Sequence, residues 1–297
     1  MDDHVRSLIR EVCYGDINKI RTAALIVCKN SKTKKDEAFC ESAIKKIEAT
    51  KNLVELPYDL RGILVQEDVS NYSEERYFWR DDEVKVAERV ISMYRVADKL
   101  HEKGIRYIPS VVLYGESGCG KTELARYIAY KAGLNYVYVR FSALIDSYLG
   151  QTQKNISKIF DYLRKSKCVV CFDEIDAIGM ARGENDDVGE MSRVVIALMQ
   201  ELDTLPNSVI LVGTTNRFDR LDKALVRRFS ISHEVTKMNE MEAKMAARNF
   251  LKYAGCSCDD IQNYVYCIVG DIPASKIVKE CTEFVAEMLL QDMDEEK

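Results

Sequence analysis

The chain has 297 residues, of which 47% are hydrophobic and 31% are charged, and its formal net charge is −5. This length and composition indicate a globular protein of one or two domains. Nucleic acid is disfavoured as the main partner, because lysine and arginine are spread along the chain. A membrane span is also disfavoured, because no apolar run approaches ~18 residues.

The chain begins with MDDHVRSLIR, which starts with two acidic residues and lacks the apolar segment of a secretory signal. Its ten cysteines are scattered instead of forming the pattern of a disulfide framework. Cys168 and Cys171 stand in an apolar stretch with no histidine nearby, which favours buried thiols over a metal site. We therefore expect a cytoplasmic protein with reduced thiols.

The N-terminal part of the chain carries no motif that points to chemistry. Apolar residues recur at helical spacing from residue 3 to about 50, beginning with Val5 and Leu8. We expect residues 1–50 to form a helical bundle, which either recruits a partner protein or only packs on the rest of the molecule. A proline and a glycine interrupt the pattern over residues 51–80, and we predict a linker there.

Apolar strands alternate with helices in the central part of the chain. A helix is predicted from about residue 81 to 104, and the predicted strands read SVVLYG, YVYVRF, KCVVCF, SVILVGTT and ISHEV. This alternation predicts an α/β domain over residues 81–236, with a parallel sheet covered by helices on both faces. Only helical patterns remain afterwards, so residues 237–297 are predicted to form a small all-helical domain.

A glycine-rich loop, GESGCGKT, follows the first of these strands and fits the pattern G-x-x-x-x-G-K-[ST]. Its backbone N–H groups and the start of the next helix can hold phosphate oxygens. Lys121 is predicted to reach the β- and γ-phosphates of a nucleotide, and the Thr122 hydroxyl to bind Mg²⁺. Cys119 is either a redox brake on binding or a small residue that the loop tolerates. The predicted nucleotide-binding residues are Gly115, Glu116, Ser117, Gly118, Cys119, Gly120, Lys121, Thr122, Glu123 and Asp173.

Two acidic residues end the strand KCVVCF. Asp173 can hold Mg²⁺, and Glu174 is placed to take a proton from a water lined up on the γ-phosphate. Asn216 follows the strand SVILVGTT and either hydrogen-bonds the γ-phosphate or that water, or caps a loop. A water-polarising base favours hydrolysis over transfer to an acceptor molecule, so we predict a hydrolase that cleaves a bound nucleotide.

The segment TTNRFDRLDKALVRRFS, residues 214–230, places Arg227 and Arg228 between a short helix and an apolar strand. With this segment, the chain from about residue 81 to 291 resembles the AAA ATPase family. GESGCGKT resembles the Walker A motif, CVVCFDEID the Walker B motif, Asn216 sensor 1, and the two arginines the arginine fingers. Within the family, the chain is most similar to the bacterial stand-alone, single-ring members with a helical N-terminal region.

The resemblance implies a P-loop NTPase fold with a helical C-terminal lid, and a hexameric ring in which Arg227 and Arg228 act on the nucleotide of a neighbouring subunit. Because an arginine finger can also act within its own chain, the sequence leaves that arrangement open. The segment SALIDSYLGQTQKNI resembles the family's first pore loop, in which Tyr148, Leu149 and Gly150 would grip an extended polypeptide. Alternatively, the tyrosine and the leucine pack beside a helix. The acidic stretch GENDDVGE is either a second pore loop or a solvated loop.

The sequence departs from the family in the segment EERYFWRDDEV, which lacks the usual glycines, so no adenine contacts are assigned. The function that we predict is ATP-driven remodelling, unfolding or disassembly of a protein client by a homo-oligomeric ring. The alternatives are a DNA-associated AAA+ ATPase and a nucleotide-controlled scaffold or switch that works with a separate partner such as a protease.

Overall fold

The computed structural model of the protein describes residues 5–9, 23–24, 26–28, 30, 40–41, 44, 56–141, 144, 149–179 and 188–295. The described positions before residue 45 are helical. The bundle predicted over the N-terminal part otherwise lies outside the described residues.

A six-stranded sheet forms the centre of the molecule, with the strand order β1-β3-β4-β5-β2-β6. The strands are β1 (Leu64–Glu67), β2 (Ser110–Tyr114), β3 (Asn135–Arg140), β4 (Cys168–Asp173), β5 (Val209–Thr215) and β6 (Ile231–Glu234). Strands β2 to β6 pair in parallel, and only β1 pairs antiparallel, with β3. The predicted α/β fold with a largely parallel sheet is confirmed.

Helices cover both faces of this sheet and continue beyond it. They are α1 (Asp81–Glu102), α2 (Lys121–Ala132), α3 (Leu149–Leu163), α4 (Asp176–Gly179), α5 (Val188–Leu202), α6 (Lys223–Val226), α7 (Glu240–Tyr253), α8 (Cys258–Tyr266) and α9 (Ala274–Glu295). Alternate residues of β2 belong to different cores: Val112 packs with α3 and α5, whereas Val111 and Leu113 pack with α1 and α2. Near-continuous apolar strands are therefore buried from both sides, as a parallel sheet requires.

Residues 56–80 correct the prediction of a linker. Strand β1 pairs with β3 in the register Leu64 to Val139, and Leu60 and Leu64 are almost completely buried in the core. The segment thus forms the edge of the sheet. A strand of four residues flanked by a glycine is too short to produce a periodic signal, which explains why the sequence pattern did not predict it.

The C-terminal helices α7, α8 and α9 enclose a core of their own, which includes Ala247, Leu251, Ile261 and Ile277. Asn239 starts α7 with a reciprocal cap: its side-chain oxygen accepts from the backbone N–H of Glu242 at 3.0 Å, and the Glu242 carboxylate accepts from the Asn239 N–H at 2.9 Å. Within the described ranges, no helix is both long enough and apolar enough to cross a membrane.

Candidate nucleotide-binding site

The glycine-rich loop connects β2 to α2 at the carboxyl edge of the sheet. Gly115 has φ 140°, and a Cβ atom there would lie 2.1 Å from the carbonyl oxygen of Val235. Gly118 has φ 79°, and its Cβ would lie 2.3 Å from the Ser275 hydroxyl oxygen of α9. Only glycine fits both positions, so the loop can turn tightly at the start of α2 and expose its N–H groups.

Lys121 extends back across this loop. Its Nζ donates to the backbone oxygens of Gly115 at 2.8 Å and Glu116 at 2.7 Å, and to Oδ1 of Asn216 at 2.6 Å. Burial lowers the pKa of the Lys121 ammonium, since the charge is removed from water. The ammonium therefore lies inside the site with three neutral oxygen partners and no hydrogen-bonded carboxylate among the described residues.

Three hydroxyl groups surround the carboxylate of Asp173 at the end of β4. Oδ1 accepts from Thr122 at 3.0 Å and from Thr214, and Oδ2 accepts from Tyr138 at 2.8 Å. The donors come from α2, β5 and β3, respectively. Burial, followed by the hydrogen bond to Asp173, raises the pKa of the Tyr138 hydroxyl, so this group remains a donor at neutral pH.

Glu174 has an unusual backbone conformation. Its φ of 53° lies in the left-handed region, and it is the one residue other than glycine with positive φ in the described part of the chain. Its N–H donates to the Thr214 hydroxyl oxygen at 3.2 Å. Non-glycine residues in this conformation are strained and often lie at functional sites. The side chain is exposed and lines the cleft beside the loop.

Most of these groups line one cleft with a volume of about 600 Å³. The cleft contains loop residues 117–122, Glu123, Asp173, Glu174 and Asn216. Its opposite walls are apolar side chains from the segment before α1 and from the C-terminal helices: Phe78, Trp79, Met238, Ala246, Phe250 and Ile277. A volume of this size, largely apolar with a few polar groups at one end, suits a nucleotide.

Residues 111–237 match the family described as "ATPase family associated with various cellular activities (AAA)". This chain contains an AAA ATPase domain. The glycine-rich loop, Asp173, Glu174 and Asn216 all lie within the matched residues, and the resemblance inferred from the motifs is confirmed.

Known relatives of this AAA domain come from bacteria and eukaryotes. The "Uncharacterized AAA family ATPase y4kL" of Sinorhizobium fredii is 37% identical over 169 residues, which are 57% of this chain and 50% of that protein. The peroxisomal ATPase PEX6 of Dictyostelium discoideum is 42% identical over 132 residues, 43% of this chain and 11% of PEX6. PEX6 of Arabidopsis thaliana is 40% identical over 133 residues, which are 43% of this chain and 14% of that protein. The chain spans half of the first relative's length and far less of the others.

The arginine pair of the AAA domain, Arg227 and Arg228, does not line the cleft as the described residues form it. Arg228 is half-buried, and its Nε and Nη2 donate to the carboxylate of Asp203 at 3.0 and 2.8 Å. Arg227 is exposed, and no hydrogen bond or ion pair joins its side chain to another described residue. The two predicted fingers therefore differ, because one is held by its own chain and the other projects from the surface.

Several predicted site residues either lie outside the described residues or do not line the cleft. Tyr148 lies outside the described residues, whereas Leu149 and Gly150 begin α3. The acidic stretch GENDDVGE is described only from residue 188, where α5 starts. Of the predicted nucleotide-binding residues, Gly115 and Glu116 contact Lys121 but do not line the cleft.

The cysteines of the described chain are all free. Cys119 is buried in the AAA domain's loop, and burial raises the pKa of its thiol, which disfavours the reactive thiolate. This favours a tolerated small residue over a redox brake. Burial raises the pKa of both Cys168 and Cys171 to about 12, and the described residues contain no group of three or more metal-binding side chains.

The sequence patterns did not predict the aromatic wall of the cleft or two of the Asp173 donors. Phe78 and Trp79 belong to the run YFW, which a search for exposed aromatic clusters before a helix could have found. Tyr138 and Thr214 stand in predicted strands and carry no local signal. They matter only because the sheet register brings their hydroxyl groups to Asp173.

Proposed function

We propose that the protein is an ATP-hydrolysing AAA protein that assembles into a ring and remodels, unfolds or disassembles a protein client. One observation carries the proposal. The groups that can bind a triphosphate and activate water line a single cleft, whereas the arginine pair lies outside it. Because this arginine pair lies outside the cleft of its own chain, a second copy that docks beside the cleft would supply it in trans.

The nucleotide would lie with its phosphates on the loop and its base against the apolar wall. Lys121 would exchange its backbone acceptors for phosphate oxygens, and an anionic partner compensates a buried ammonium better than neutral oxygens do. The N-terminus of α2 adds its positive end to the same point. Phe78, Phe250 and Ile277 would contact the adenine ring, since a flat apolar base is bound by area and stacking.

The oxygen ligands at the loop fit Mg²⁺. The Thr122 hydroxyl lies 3.0 Å from the Asp173 carboxylate, and hydroxyl and carboxylate oxygens are the ligands that this ion prefers. The lack of a larger metal-binding cluster among the described residues agrees with a site in which phosphate and water supply most ligands. When bound, Mg²⁺ would neutralise charge on the β- and γ-phosphates, while Asp173 and Thr122 hold it.

Hydrolysis would depend on Glu174 and Asn216. Glu174 would accept the proton from the attacking water, and its exposure to the cleft gives that water access. Asn216 already contacts Lys121 and would orient the γ-phosphate or the water. A guanidinium from the arginine pair of the neighbouring subunit would stabilise the charge that develops on the γ-phosphoryl group.

We propose an α/β ATPase body from about residue 56 to 236, a lid from residue 237 to the C-terminus, and a ring of six subunits. The Tyr148, Leu149 and Gly150 segment would face the ring's channel and pull on a polypeptide client. Residues 1–50 would recruit that client. The cysteines of the described residues are free, which supports a reducing compartment such as the cytoplasm.

Mixing of inactive variants tests the shared site. Arg227→Ala should bind ATP normally and hydrolyse it up to ~10³-fold more slowly, because only the transition state uses the finger. Lys121→Ala should bind ATP poorly but still offer its arginines to a neighbour. A mixture of the two should therefore recover part of the wild-type rate. Arg220→Ala removes another exposed arginine of the same segment and serves as the charge control. No recovery in the mixture argues against a site shared between subunits.

The client is tested with Glu174→Gln, which should bind ATP and remain assembled. Proteins retained by this variant with ATP, but not by Lys121→Ala, are candidate clients. Each candidate is then incubated with wild-type protein and ATP, with Tyr148→Ala as the comparison. Loss of client unfolding in Tyr148→Ala with hydrolysis retained supports remodelling. Unchanged client processing in that variant rejects the pore-loop role and favours a nucleotide-controlled scaffold.

A further inference from the structure

The carboxylate of Asp173 is held by hydroxyl groups from three separate elements. Thr122 and Thr214 donate to Oδ1, and Tyr138 donates to Oδ2 at 2.8 Å. Thr122 belongs to the glycine-rich motif, but Tyr138 belongs to no motif and lies 35 residues before Asp173 in the chain. Its contribution comes from the pairing of β3 with β4, in which Tyr138 lies opposite Cys171.

The two carboxylate oxygens differ in how fully they are used. An ionised carboxylate has about four acceptor positions, two on each oxygen. Both positions of Oδ1 are taken by threonine hydroxyls, and one position of Oδ2 is taken by Tyr138. The position that remains is therefore on the oxygen that the tyrosine holds. A ligand that approaches Asp173 meets an oxygen whose orientation is set by this hydrogen bond.

The ring of Tyr138 is itself fixed. It is half-buried and packs against the hydrophobic core between the sheet and helices α1 and α2. A packed aromatic ring has few rotamers, so its hydroxyl is delivered to one point. Tyr136 lies two residues earlier on the same face of β3 and is fully buried, but its hydroxyl makes no hydrogen bond to Asp173.

We propose that Tyr138 is a positioning residue for the metal ion of the ATP complex. Its hydroxyl holds Asp173 Oδ2 in the one orientation in which the remaining acceptor position serves Mg²⁺ or a water bound to it. The inference rests on the proposed nucleotide function of the cleft. It adds a residue that acts on the metal through Asp173, in the way that hydrogen-bonded partners orient ligands in other metal sites.

Replacement of the hydroxyl tests this role. Tyr138→Phe removes one oxygen atom and keeps the packed ring, and Tyr136→Phe is the matched control on the same strand. Binding of a fluorescent, non-hydrolysable ATP analogue is measured in EDTA and across a Mg²⁺ titration. Tyr138→Phe should need ~10-fold more Mg²⁺ for half-maximal enhancement of binding, the lower end of the effect of such partners. Its affinity in EDTA should equal that of wild type, and Tyr136→Phe should match wild type in both.

The Mg²⁺ dependence of hydrolysis gives a second readout. Saturating Mg²⁺ should restore the turnover of Tyr138→Phe, because the variant loses metal affinity and keeps the reacting groups. A Mg²⁺ response equal to or tighter than that of wild type overturns the proposal. An equal loss of affinity in EDTA and Mg²⁺ also overturns it, since that result indicates a general structural role.

The proposed function fails on different results. Wild-type protein that binds nucleotide with normal Mg²⁺ dependence but does not hydrolyse it, or does not process a client, contradicts the remodelling proposal and leaves the Tyr138 result intact. Wild-type protein that binds no nucleotide contradicts both. Binding by wild type that is indifferent to Mg²⁺ overturns the role of Tyr138 alone.

Discussion

The strained backbone at Glu174 leads to an unusual prediction about stability. At most exposed positions, alanine is more stabilising than glycine, since glycine loses more backbone entropy on folding. At φ 53° the order should reverse, because an L-residue in the left-handed region carries about 1–2 kcal/mol of steric cost that glycine avoids. Subtracting ~0.4–1 kcal/mol for the freer unfolded glycine chain leaves a net advantage of about 1 kcal/mol for Glu174→Gly over Glu174→Ala.

The stability difference between Glu174→Gly and Glu174→Ala should reflect the backbone alone, because the Glu174 side chain contributes little to folding. The Glu174 carboxylate is exposed and makes no hydrogen bond within the described chain, and the N–H bond to Thr214 remains in every variant. Thermal unfolding in EDTA without nucleotide should place the glycine variant about 2 °C above the alanine variant. Glu174→Gln keeps the strain and should resemble alanine in stability.

Activity should separate from stability in these variants. Glycine, alanine and glutamine all remove the proposed base, so each should lower hydrolysis by ~10²–10⁴-fold. An alanine variant as stable as the glycine variant would refute the strain argument. Normal turnover in Glu174→Gln would instead refute the assignment of the base. If both expectations hold, the site keeps a less stable backbone in order to present a carboxylate to the cleft.

Other predictions concern the loop. Gly115→Ala should abolish nucleotide binding, measured by fluorescence titration, because its Cβ would lie 2.1 Å from the Val235 carbonyl oxygen. Unchanged affinity would show that the strand can shift. ATP at 100 times its dissociation constant should stabilise the wild type by about 2.7 kcal/mol, and this gain should be absent in Lys121→Ala. Mild peroxide should affect nucleotide binding equally in wild type and Cys119→Ser, since the thiol is buried. Loss of binding in wild type alone would instead show that oxidation of Cys119 inhibits binding.

The sequence predicted the site best where function depends on neighbours in the chain. The loop from Gly115 to Thr122 is recognisable because its glycines, lysine and threonine act through local backbone geometry at one strand-to-helix turn. The position of Asp173 and Glu174 followed from the apolar strand that ends there. The edge strand β1 was missed, because its four residues gain their stability from pairing with β3 and carry no pattern of their own.

The arginine pair shows a second kind of feature that the sequence did not predict. Its position between a short helix and a strand indicated two equivalent fingers, but the structure holds Arg228 against Asp203 and leaves Arg227 exposed. The carboxylate that makes this difference lies 25 residues earlier, directly after the end of α5. A distinction of this kind depends on which residues happen to meet in space, so it cannot be read from the motif.

The sequence by itself determined the glycine-rich loop, the acidic strand end and the alternation that makes a parallel sheet, because each follows from contacts within a few residues. Only the tertiary structure decided what closes the cleft and what holds the Asp173 carboxylate. The N–H of Ser275 donates to the Gly118 oxygen at 2.9 Å, and Tyr138 reaches Asp173 across a strand pair. Such contacts join residues far apart in the chain, and the packing of sheet and helices, which no local pattern encodes, brings them together.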